Sequence, residues 1–384
     1  MRIMHLADLH LGKVILEQSL IEDQKYILDQ IIELVKDKSV DAVLIAGDVY
    51  DKGIPNVEAV RLFSNFLSRL YEIKVKVFVI SGNHDSKDRL SFGSELFVDN
   101  GVYVESIFDG VPQRVELADE YGKVFIYMLP FVKPADVRKY YPSTEITSYH
   151  DAIKCLMNNI EVDTDQRNII MVHQFVTASG VEIERCDSEN LSLGGLDNVD
   201  VSLFDKFDYV AMGHVHGAQK LTRDTIRYAG SPLKYSFSEV YQKKSVPIIE
   251  LKEKRNIKIE LVPLEPIRDM RVIKGKLEQL LDKKVVDLEN SKDYISAIIT
   301  DEDYVMDAIG KLRRVYPNIL RLEYQNRRSV LLNSEEKIDY REIKKVNEID
   351  LFRLFYRKQN NVELDEKREK IVTEMINKIK ENSH

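Results

Sequence analysis

Short apolar runs alternate with longer amphipathic stretches over the first 85 residues of the chain. The apolar runs at 3–7, 42–46 and 75–80 are typical of buried strands. Residues 17–38 and 57–71 instead carry apolar side chains at helical spacing. Strands that alternate with helices of this length predict βαβ units and a parallel sheet.

Beyond residue 100 the apolar runs continue, but fewer helical patterns separate them. This change favours a mixed sandwich of two sheets flanked by helices, within an α/β fold. The further strand candidates are 102–104, 114–117, 124–129, 169–172, 209–212, 219–222, 247–251 and 257–261.

A second change of pattern falls near the two prolines at 263 and 266, and it predicts a domain boundary there. Residues 1–267 then form the α/β domain, and residues 268–328 form a small α+β capping domain. The cap has predicted strands at 271–273, 294–300 and 319–324, and predicted helices at 277–281 and 305–315. Residues 329–384 are expected to hold a polar linker and two C-terminal helices, at 348–359 and 365–380.

The net charge of the 384-residue chain is −8, which does not suggest a DNA-binding protein, because such proteins usually carry a basic footprint. The charge is divided unevenly: residues 1–267 carry −10 and residues 268–384 carry +2. Nucleic acid therefore stays open as a partner of the second part.

The two cysteines, Cys155 and Cys186, lack CxxC spacing, which excludes a disulfide framework and a thiolate zinc site. No signal peptide and no long apolar run is present, so a cytoplasmic protein without a membrane span is expected.

Five short motifs follow predicted strands, and together they carry the candidate chemistry of the chain. They are Asp8-Leu-His10, Gly47-Asp48, Gly82-Asn83-His84-Asp85, His173 and Gly213-His214-Val215-His216. In a strand, residues two apart point to the same face, so each Asp-x-His or His-x-His pair offers two ligands to one pocket. The carboxyl ends of strands in an open α/β sheet are where ligands bind.

Seven side chains in these motifs are candidate metal ligands, which is too many for one ion and suits two. Imidazole, carboxylate and amide ligands without thiolate suit Mn²⁺, Fe²⁺ or Zn²⁺. Two ions with open positions can clamp a phosphoryl centre and generate a hydroxide near neutral pH. The candidate ligands are Asp8, His10, Asp48, Asn83, His173, His214 and His216.

Each motif has an ordinary structural explanation when it is taken alone. Asp-x-His is common by chance, Gly-Asp after a strand is usually a turn, and a lone histidine is more often a core or loop residue. The conjunction of all five, each after a predicted strand, is what favours a metal site.

In type and order, these motifs resemble those of the calcineurin-like metallophosphoesterases. The resemblance implies a four-layered α-β-β-α sandwich with two metal ions. One ion would be held by Asp8, His10, Asp48 and His216, and the other by Asp48, Asn83, His173 and His214, so that Asp48 bridges. His84 would be catalytic at the scissile phosphate and the leaving oxygen, and Asp85 would hold the His84 ring in orientation.

A narrower resemblance, to the SbcD family of nuclease subunits, rests on the stretches at 47–51, 230–239 and 312–318. It implies a Mn²⁺-dependent DNA nuclease that degrades duplex ends 3′→5′ and opens hairpins and single strands. It also implies a role in DNA repair, recombination and replication, at the nucleoid. For the assembly, it implies a homodimer within a heterotetramer with an SbcC-type coiled-coil ATPase. The 348–380 helices would dock that ATPase. Basic residues of the cap and just beyond it would face DNA, with an ordinary solvated face as the alternative, namely Lys311, Arg313, Arg314, Arg321, Arg327 and Arg328.

Two other functions stay open. One is a metallophosphoesterase that acts on nucleotides, phosphoproteins or lipid headgroups, because it would share the same metal site. The other is a non-catalytic scaffold, but such relatives lose ligands or the histidine after the asparagine, and Asn83 and His84 are both present.

Overall fold

A computed structural model describes residues 1–189, 197–286, 290–303, 305–325, 348–360 and 364–381 of the chain. The chain forms two compact units, Met1–Met270 and Arg271–His384. Arg327 and Arg328, together with most of the predicted linker, lie outside the described residues.

The described residues contain nineteen strands, eleven α-helices and three short 3₁₀ turns. The strands are β1 Arg2–Leu6, β2 Val14–Ile15, β3 Gln18–Ser19, β4 Ala42–Ala46, β5 Lys76–Ile80, β6 Val102–Glu105, β7 Gln113–Asp119, β8 Gly122–Leu129, β9 Arg167–Val172, β10 Val176–Thr177, β11 Val199–Asp200, β12 Tyr209–Met212, β13 Gln219–Lys220, β14 Ile226–Tyr228, β15 Ser245–Leu251, β16 Ile257–Pro263, β17 Met270–Gly275, β18 Tyr294–Ile299 and β19 Ile319–Tyr324. The helices are α1 Ile21–Asp37, α2 Val57–Glu72, α3 Lys87–Leu90, α4 Ser94–Phe97, α5 Pro134–Arg138, α6 Tyr149–Asn159, α7 Leu277–Leu280, α8 Lys283–Val286, α9 Ala308–Arg313, α10 Glu348–Asn360 and α11 Glu366–Glu381.

Two six-stranded mixed sheets form the centre of the first unit. The first sheet has the order β16-β15-β1-β4-β5-β6, and β1, β4, β5 and β6 run parallel to one another. The second has the order β13-β14-β12-β9-β8-β7, with β8, β9, β12 and β14 parallel. One hydrophobic cluster joins buried side chains of both sheets, such as Leu44 and Phe78 of the first with Ile126, Met171 and Tyr209 of the second. The sheets therefore face each other across a shared core.

Helices cover the outer faces of the two sheets. On the first sheet, α1 and α2 pack against each other and α2 packs on β5, with buried residues such as Ile31 and Phe63. On the second, α6 shares a separate cluster with outward-facing side chains of the sheet, Ile153 with Ile170 and Val210 for example. Four layers result, so the predicted α-β-β-α sandwich is confirmed. Among the described residues, no helix is both long enough and apolar enough to span a bilayer.

Helix α6 and strand β14 belong to this sandwich but are absent from the sequence prediction. The start of α6 is fixed by a reciprocal cap, in which the Ser148 hydroxyl accepts from the Asp151 N–H at 3.1 Å and the Asp151 carboxylate accepts from the Ser148 N–H at 3.0 Å. Such a cap satisfies two otherwise unpaired donors of the first turn. Together with buried side chains such as Leu156, it fixes this helix over the second sheet.

The second unit has a three-stranded sheet, β17-β18-β19, in which β18 and β19 are parallel. Its core includes Ile295 and Ala297 of the central strand with Leu312 of α9. Helices α10 and α11 contact each other, and Arg353 pairs with Glu369 between them. The predicted division of this unit into a cap and a docking tail stays a prediction.

Candidate metal centre

The five sequence motifs all follow the carboxyl ends of strands in the two facing sheets, where the parallel strands end together. Backbone hydrogen bonds then hold the first two motifs side by side: the Asp8 N–H donates to Gly47 O at 3.0 Å, and the His10 N–H donates to Asp48 O at 2.9 Å. The strands that carry the motifs are β1, β4 and β5 of the first sheet and β9 and β12 of the second.

Four of the predicted ligands have left-handed backbones, which non-glycine residues seldom adopt. The φ angles are +53° at Asp8, +43° at His10, +50° at Asp48 and +89° at His214. Such conformations cost of order 1–3 kcal/mol each and cluster at functional sites. The tight turns they make aim the side chains back into the space between the sheets.

Two glycines let the backbones approach closely at this place. A Cβ at Gly82 would collide with the backbone and carboxylate of Asp48, and a Cβ at Gly213 would collide with the carbonyl oxygen of Ala46. Both contacts involve groups that cannot swing away. Gly82 and Gly213 are therefore required by the packing of the loops that carry the candidate ligands.

The first group of converging side chains consists of Asp8, His10 and His216, all almost completely buried. Nε2 of His10 lies 3.1 Å from Nε2 of His216. The Asp8 carboxylate lies beside them and accepts the His214 N–H at 2.9 Å and 3.1 Å. These three residues belong to the set predicted for one metal ion.

The second group converges on the side-chain oxygen of Asn83. This Oδ1 lies 3.1 Å from Nε2 of His173 and 2.9 Å from Nδ1 of His214. Nε2 of His173 also lies 3.3 Å from Oδ2 of Asp48. The structure thus brings together the residues predicted for the other ion.

Asp48 lies between the two groups and contacts both with one oxygen. Its Oδ2 is 3.6 Å from Nε2 of His10 and 3.3 Å from Nε2 of His173, while its Oδ1 accepts the His84 N–H at 2.8 Å. A carboxylate in this position can bridge two ions. That geometry supports the shared role predicted for Asp48.

The burial of several acids and imidazoles in one place shifts their pKa values strongly. Burial raises the pKa of Asp8 to about 7, although His173 and His216 oppose the change. Burial alone would lower the pKa of His173, but the charge and hydrogen bond of Asp48, the Asp8 charge and the Ala46 carbonyl together outweigh burial and raise that pKa to about 9. Burial also holds the pKa of His10 well below its usual value. The carboxylates of this pocket therefore attract positive charge.

The arrangement of nitrogen and oxygen atoms in the pocket indicates which positively charged species can occupy it. Nδ1 of His173 lies 2.7 Å from the carbonyl oxygen of Ala46 and must donate to it. With a pKa of about 9, the ring without a cation also carries a proton on Nε2, which faces the oxygens of Asn83 and Asp48; a divalent cation would take the place of that proton. Nδ1 of His10 is buried and has no hydrogen-bond partner among the described residues, and its Nε2 faces another ring nitrogen. Electron-rich atoms that face one another fit divalent cations better than they fit hydrogen bonds.

His84 lies at the edge of this pocket, with 15% of its side chain exposed and its Nε2 4.0 Å from Oδ2 of Asp48. Its Nδ1 lies 2.9 Å from the main-chain oxygen of Asp51 and donates to it. This contact leaves Nε2 directed to the pocket.

Asp85 has contacts that differ from its predicted role of holding the His84 ring. Its two oxygens accept the backbone N–H groups of Val49 at 3.1 Å, Tyr50 at 2.9 Å and Gly82 at 2.9 Å. Asp85 thereby joins the turn that carries His84 to the turn that carries Asp48. The contact on the His84 ring comes from Asp51 instead.

Several residues around the centre carry no predicted role. The Tyr235 ring packs edge-on against His10 and His216, and its hydroxyl donates to Leu9 O. The Gln24 amide donates to His10 O at 2.7 Å. Tyr235 lies within the 230–239 stretch that carries the SbcD resemblance, so a signal for it was present. Gln24 lies in an ordinary amphipathic helix and gives no such signal.

Comparison with known proteins gives two family matches that together cover most of the chain. Residues 1–218 match the calcineurin-like phosphoesterase family, and residues 266–360 match a family described as "Type 5 capsule protein repressor C-terminal domain" (SbcD_C). A curated relative, the SbcD subunit of the nuclease SbcCD from Staphylococcus epidermidis, is 33% identical over 370 residues, which are 95% of each chain.

Solved structures give more distant likenesses. A dimetal phosphatase of Danio rerio is 13% identical with a TM-score of 0.40, over 69% of this chain and 97% of that one. A protein of Thermus thermophilus is likewise 13% identical with a TM-score of 0.39, over 68% of this chain and 98% of that one.

Proposed function

The chain belongs to the calcineurin-like phosphoesterase family, and from this premise we propose that it is the metal-dependent DNA nuclease subunit of an SbcC–SbcD-type complex. The relative named as a nuclease subunit matches over nearly the whole length, including the second unit. The reaction we propose is hydrolysis of DNA phosphodiesters, exonucleolytic from 3′ ends of duplexes and endonucleolytic on hairpins and single strands.

The observation that carries the proposal is the position of Asp48 Oδ2 between two groups of buried ligands, with His84 beside it. It lies 3.3 Å from His173, 3.6 Å from His10 and 4.0 Å from His84. Asp8, His10, Asp48 and His216 would hold one ion, and Asp48, Asn83, His173 and His214 the other. Two divalent ions there would supply a hydroxide near neutral pH and neutralise charge on the phosphate.

Groups of the protein itself would contact the phosphate, transfer the proton and hold the site in place. The Asp51 carbonyl keeps the proton of the His84 ring on Nδ1, so Nε2 can contact a phosphate oxygen or, once protonated, pass a proton to the leaving oxygen. Asp85 keeps the turns of His84 and Asp48 together through backbone N–H groups. Neither His84 nor Asp85 would be a ligand of the ions in this proposal.

We propose Mn²⁺ as the ion because the SbcD resemblance implies it; imidazole, carboxylate and amide oxygen ligands without thiolate fit Mn²⁺ as they fit Fe²⁺ or Zn²⁺. Of the two cysteines, only Cys186 lies next to the centre, and its thiol shares a cluster with the outer nitrogen of His216 rather than with the group around Asp48.

One assay tests the proposed reaction. The purified chain with Mn²⁺ is given end-labelled hairpin and linear duplex DNA, with and without an SbcC-type ATPase and ATP, and the products are sized on a sequencing gel. We expect shortened duplex strands and opened hairpins. Hydrolysis of bis-p-nitrophenyl phosphate without cleavage of any DNA would instead favour the second candidate, a phosphoesterase that acts on nucleotides or phosphoproteins.

For the assembly, we propose that α10 and α11 dock the ATPase and that two chains pair within a heterotetramer. Leu351 and Phe355 of α10 and Met375 of α11 are 42%, 57% and 61% exposed, which leaves apolar surface for a partner. In the first unit, Phe92 and Leu96 are 86% and 76% exposed, which supports self-association there. Action on chromosomal DNA would place the complex at the nucleoid in the cytoplasm.

Light scattering of the chain, alone and with the ATPase, tests both contacts with one pair of variants. Phe355→Asp should leave the dimer mass unchanged and remove the ATPase, whereas Phe92→Asp should halve the mass of the free chain. A wild-type chain that runs as a monomer, or a Phe355→Asp chain that still binds the ATPase, would contradict the respective contact.

A further inference from the structure

A partly buried hydroxyl, that of Ser188, lies directly behind His216, on the side of the ring away from the candidate metal centre. The Ser188 Oγ is 2.8 Å from Nδ1 of His216 and 2.7 Å from Oε1 of Glu239, to which it donates. Glu239 and His216 are 0% and 2% exposed, so this relay lies inside the protein. Neither Ser188 nor Glu239 is among the site residues predicted from the sequence.

Glu239 is in a position that requires its carboxylate form. The Lys244 ammonium, 7% exposed, donates to Oε2 at 2.7 Å. The Tyr235 N–H and the Ser236 hydroxyl donate to Oε1 at 3.1 Å and 3.2 Å. An ionised carboxylate only accepts hydrogen bonds, so the Ser188 proton must point to Glu239.

The direction of that proton fixes the protonation of His216. Because the only proton on Ser188 Oγ goes to Glu239, the oxygen presents a lone pair to Nδ1 of His216, and Nδ1 must donate. The Nε2 atom is then left with a lone pair, directed at the group of Asp8 and His10. A metal-binding histidine needs this arrangement, since its other ring nitrogen usually donates to a fixed acceptor.

The backbone of His216 is held by the same cluster. Its N–H donates to Oε1 of Glu189 at 2.9 Å, and its carbonyl oxygen accepts from the Lys244 ammonium at 2.9 Å. Ring and backbone are thus both fixed from the loop at 186–189 and from the stretch at 239–244. The orientation of His216 depends on both segments.

We propose that Ser188 and Glu239 are positioning residues that hold His216 in its Nδ1–H form, so that Nε2 is ready to bind a divalent cation. The inference rests on the proposed function for the existence of that cation. It assigns to Ser188 the hydrogen bond on the ring, and to Glu239 the charge that orients the hydroxyl of Ser188.

Ser188→Ala and Ser188→Thr test the relay, with Ser236→Ala as the matched control. Ser236 donates to the same oxygen of Glu239 as Ser188, and its hydrogen bonds are with Glu239 and Ser238 rather than with the His216 ring. In a Mn²⁺ titration followed by electron paramagnetic resonance, we expect Ser188→Ala to weaken one of two sites by about 10–100-fold, as loss of such a partner typically does. The other site, the Ser188→Thr chain and the Ser236→Ala chain should stay within about twofold of wild type.

The protonation of the ring gives a second readout that needs no metal and no activity. With histidines labelled by ¹⁵N, long-range ¹H–¹⁵N spectra of the metal-free chain should show a single Nδ1–H form for His216, and a mixture of both forms in Ser188→Ala. Glu239→Gln, which keeps the shape but removes the charge, should also give a mixture.

Two results would overturn the inference: Ser188→Ala with wild-type affinity at both sites, or Ser236→Ala with the same loss as Ser188→Ala. Either would leave the proposed function standing, provided that the wild-type chain binds two ions and cleaves DNA. A wild-type chain that binds no divalent ion would instead overturn the proposed function, and this inference with it.

Discussion

Buried charged side chains gather at both ends of strand β9, and the two clusters differ in how donors and acceptors are matched. At the amino end, the Arg167 guanidinium donates to both oxygens of Asp119 and to the carbonyl oxygens of Gly122 and Lys252, with Lys252 O at 2.9 Å. The α-amino group of Met1 also donates to Asp119, at 3.0 Å. Each of these contacts joins a donor to an acceptor.

The second cluster lies at the carboxyl end of the same strand, about 20 Å away at a rise of ~3.3 Å per residue. There, hydrogen-bond donors and acceptors are not fully matched. Nitrogen faces nitrogen between His10 and His216, and among the described residues Nδ1 of His10 has no hydrogen-bond partner. The cluster around Arg167 needs no ligand, because its charged groups already pair with one another within the chain. The second becomes complete only with added positive charge, and this difference separates a stabilising cluster from a binding site.

Asp48→Ala should give the largest effect, because one carboxylate serves both groups of ligands. We expect loss of both ions and of all hydrolysis of bis-p-nitrophenyl phosphate, measured by elemental analysis and by absorbance. Asp224→Ala, at an exposed carboxylate, is the control and should behave as wild type. An Asp48→Ala chain that retains two ions would show that the carboxyl-end cluster does not depend on a shared ligand.

His84→Ala should keep both ions but lower turnover by about 10²–10⁴, the usual contribution of a positioned acid–base group. The ring lies at the edge of the cluster, and its Nδ1 is engaged by Asp51 rather than by an acid of the pocket. Metal content and kcat are measured on the same sample, with His150→Ala as the control. Loss of the ions from His84→Ala would place His84 among the ligands.

Arg167→Met should affect stability alone and thus distinguish the two ends. Removing one partner of a buried charge pair costs about 3–5 kcal/mol; the Met1 α-amino group still pairs with Asp119, so we expect the lower end of that range. We expect the free energy of unfolding in urea to fall by roughly that amount, with unchanged affinity for Mn²⁺ in the folded chain. Should Arg167→Met fail to fold, Arg167→Lys keeps the charge and should lose less. A variant of normal stability with weakened metal binding would contradict the comparison.

The sequence predicts well which side chains come together at the carboxyl end, because each of the five motifs lies within four residues and follows one strand. Within each sheet the ends of the parallel strands must meet, and only the approach of the two sheets depends on the packing of their shared core. The pairing of Arg167 with Asp119 is different, because it joins residues 48 positions apart with no motif around either. Whether a buried charge finds a partner depends on packing that the pattern of apolar residues does not encode.

The same limit explains what was missed around the site. Ser188, His216 and Glu239 are brought together from separate segments, and none of their spacings is a known signature. The role predicted for Asp85 differs from its contacts for a related reason: adjacency in sequence suggests a contact with His84, whereas the tight turn directs the carboxylate to backbone N–H groups. Helix α6, by contrast, could have been predicted, since Ser148-x-x-Asp151 is a capping pattern.

A smaller effect is expected from Glu105, which ends β6 at the same edge of the first sheet but is not a predicted ligand. Burial, with a contribution from the Asp109 charge, raises the pKa of Glu105 to about 7, from 4.5 in an unfolded chain. The folded chain therefore keeps this proton to higher pH than the unfolded chain does. Between those two values the unfolded state binds fewer protons, so stability falls as the pH rises.

Glu105→Gln should remove this dependence, because the amide stays neutral at every pH. The stability of the variant relative to wild type should rise between about pH 4.5 and pH 7 and level off above, measured by urea unfolding in the presence of EDTA so that bound ions do not contribute. Glu58→Gln, at an exposed position, should show no such trend. If the curves of stability against pH run parallel for Glu105→Gln and wild type, Glu105 ionises in the folded chain without a cost in stability. The excess of acidic charge at the carboxyl ends of the strands would then be confined to the candidate metal ligands.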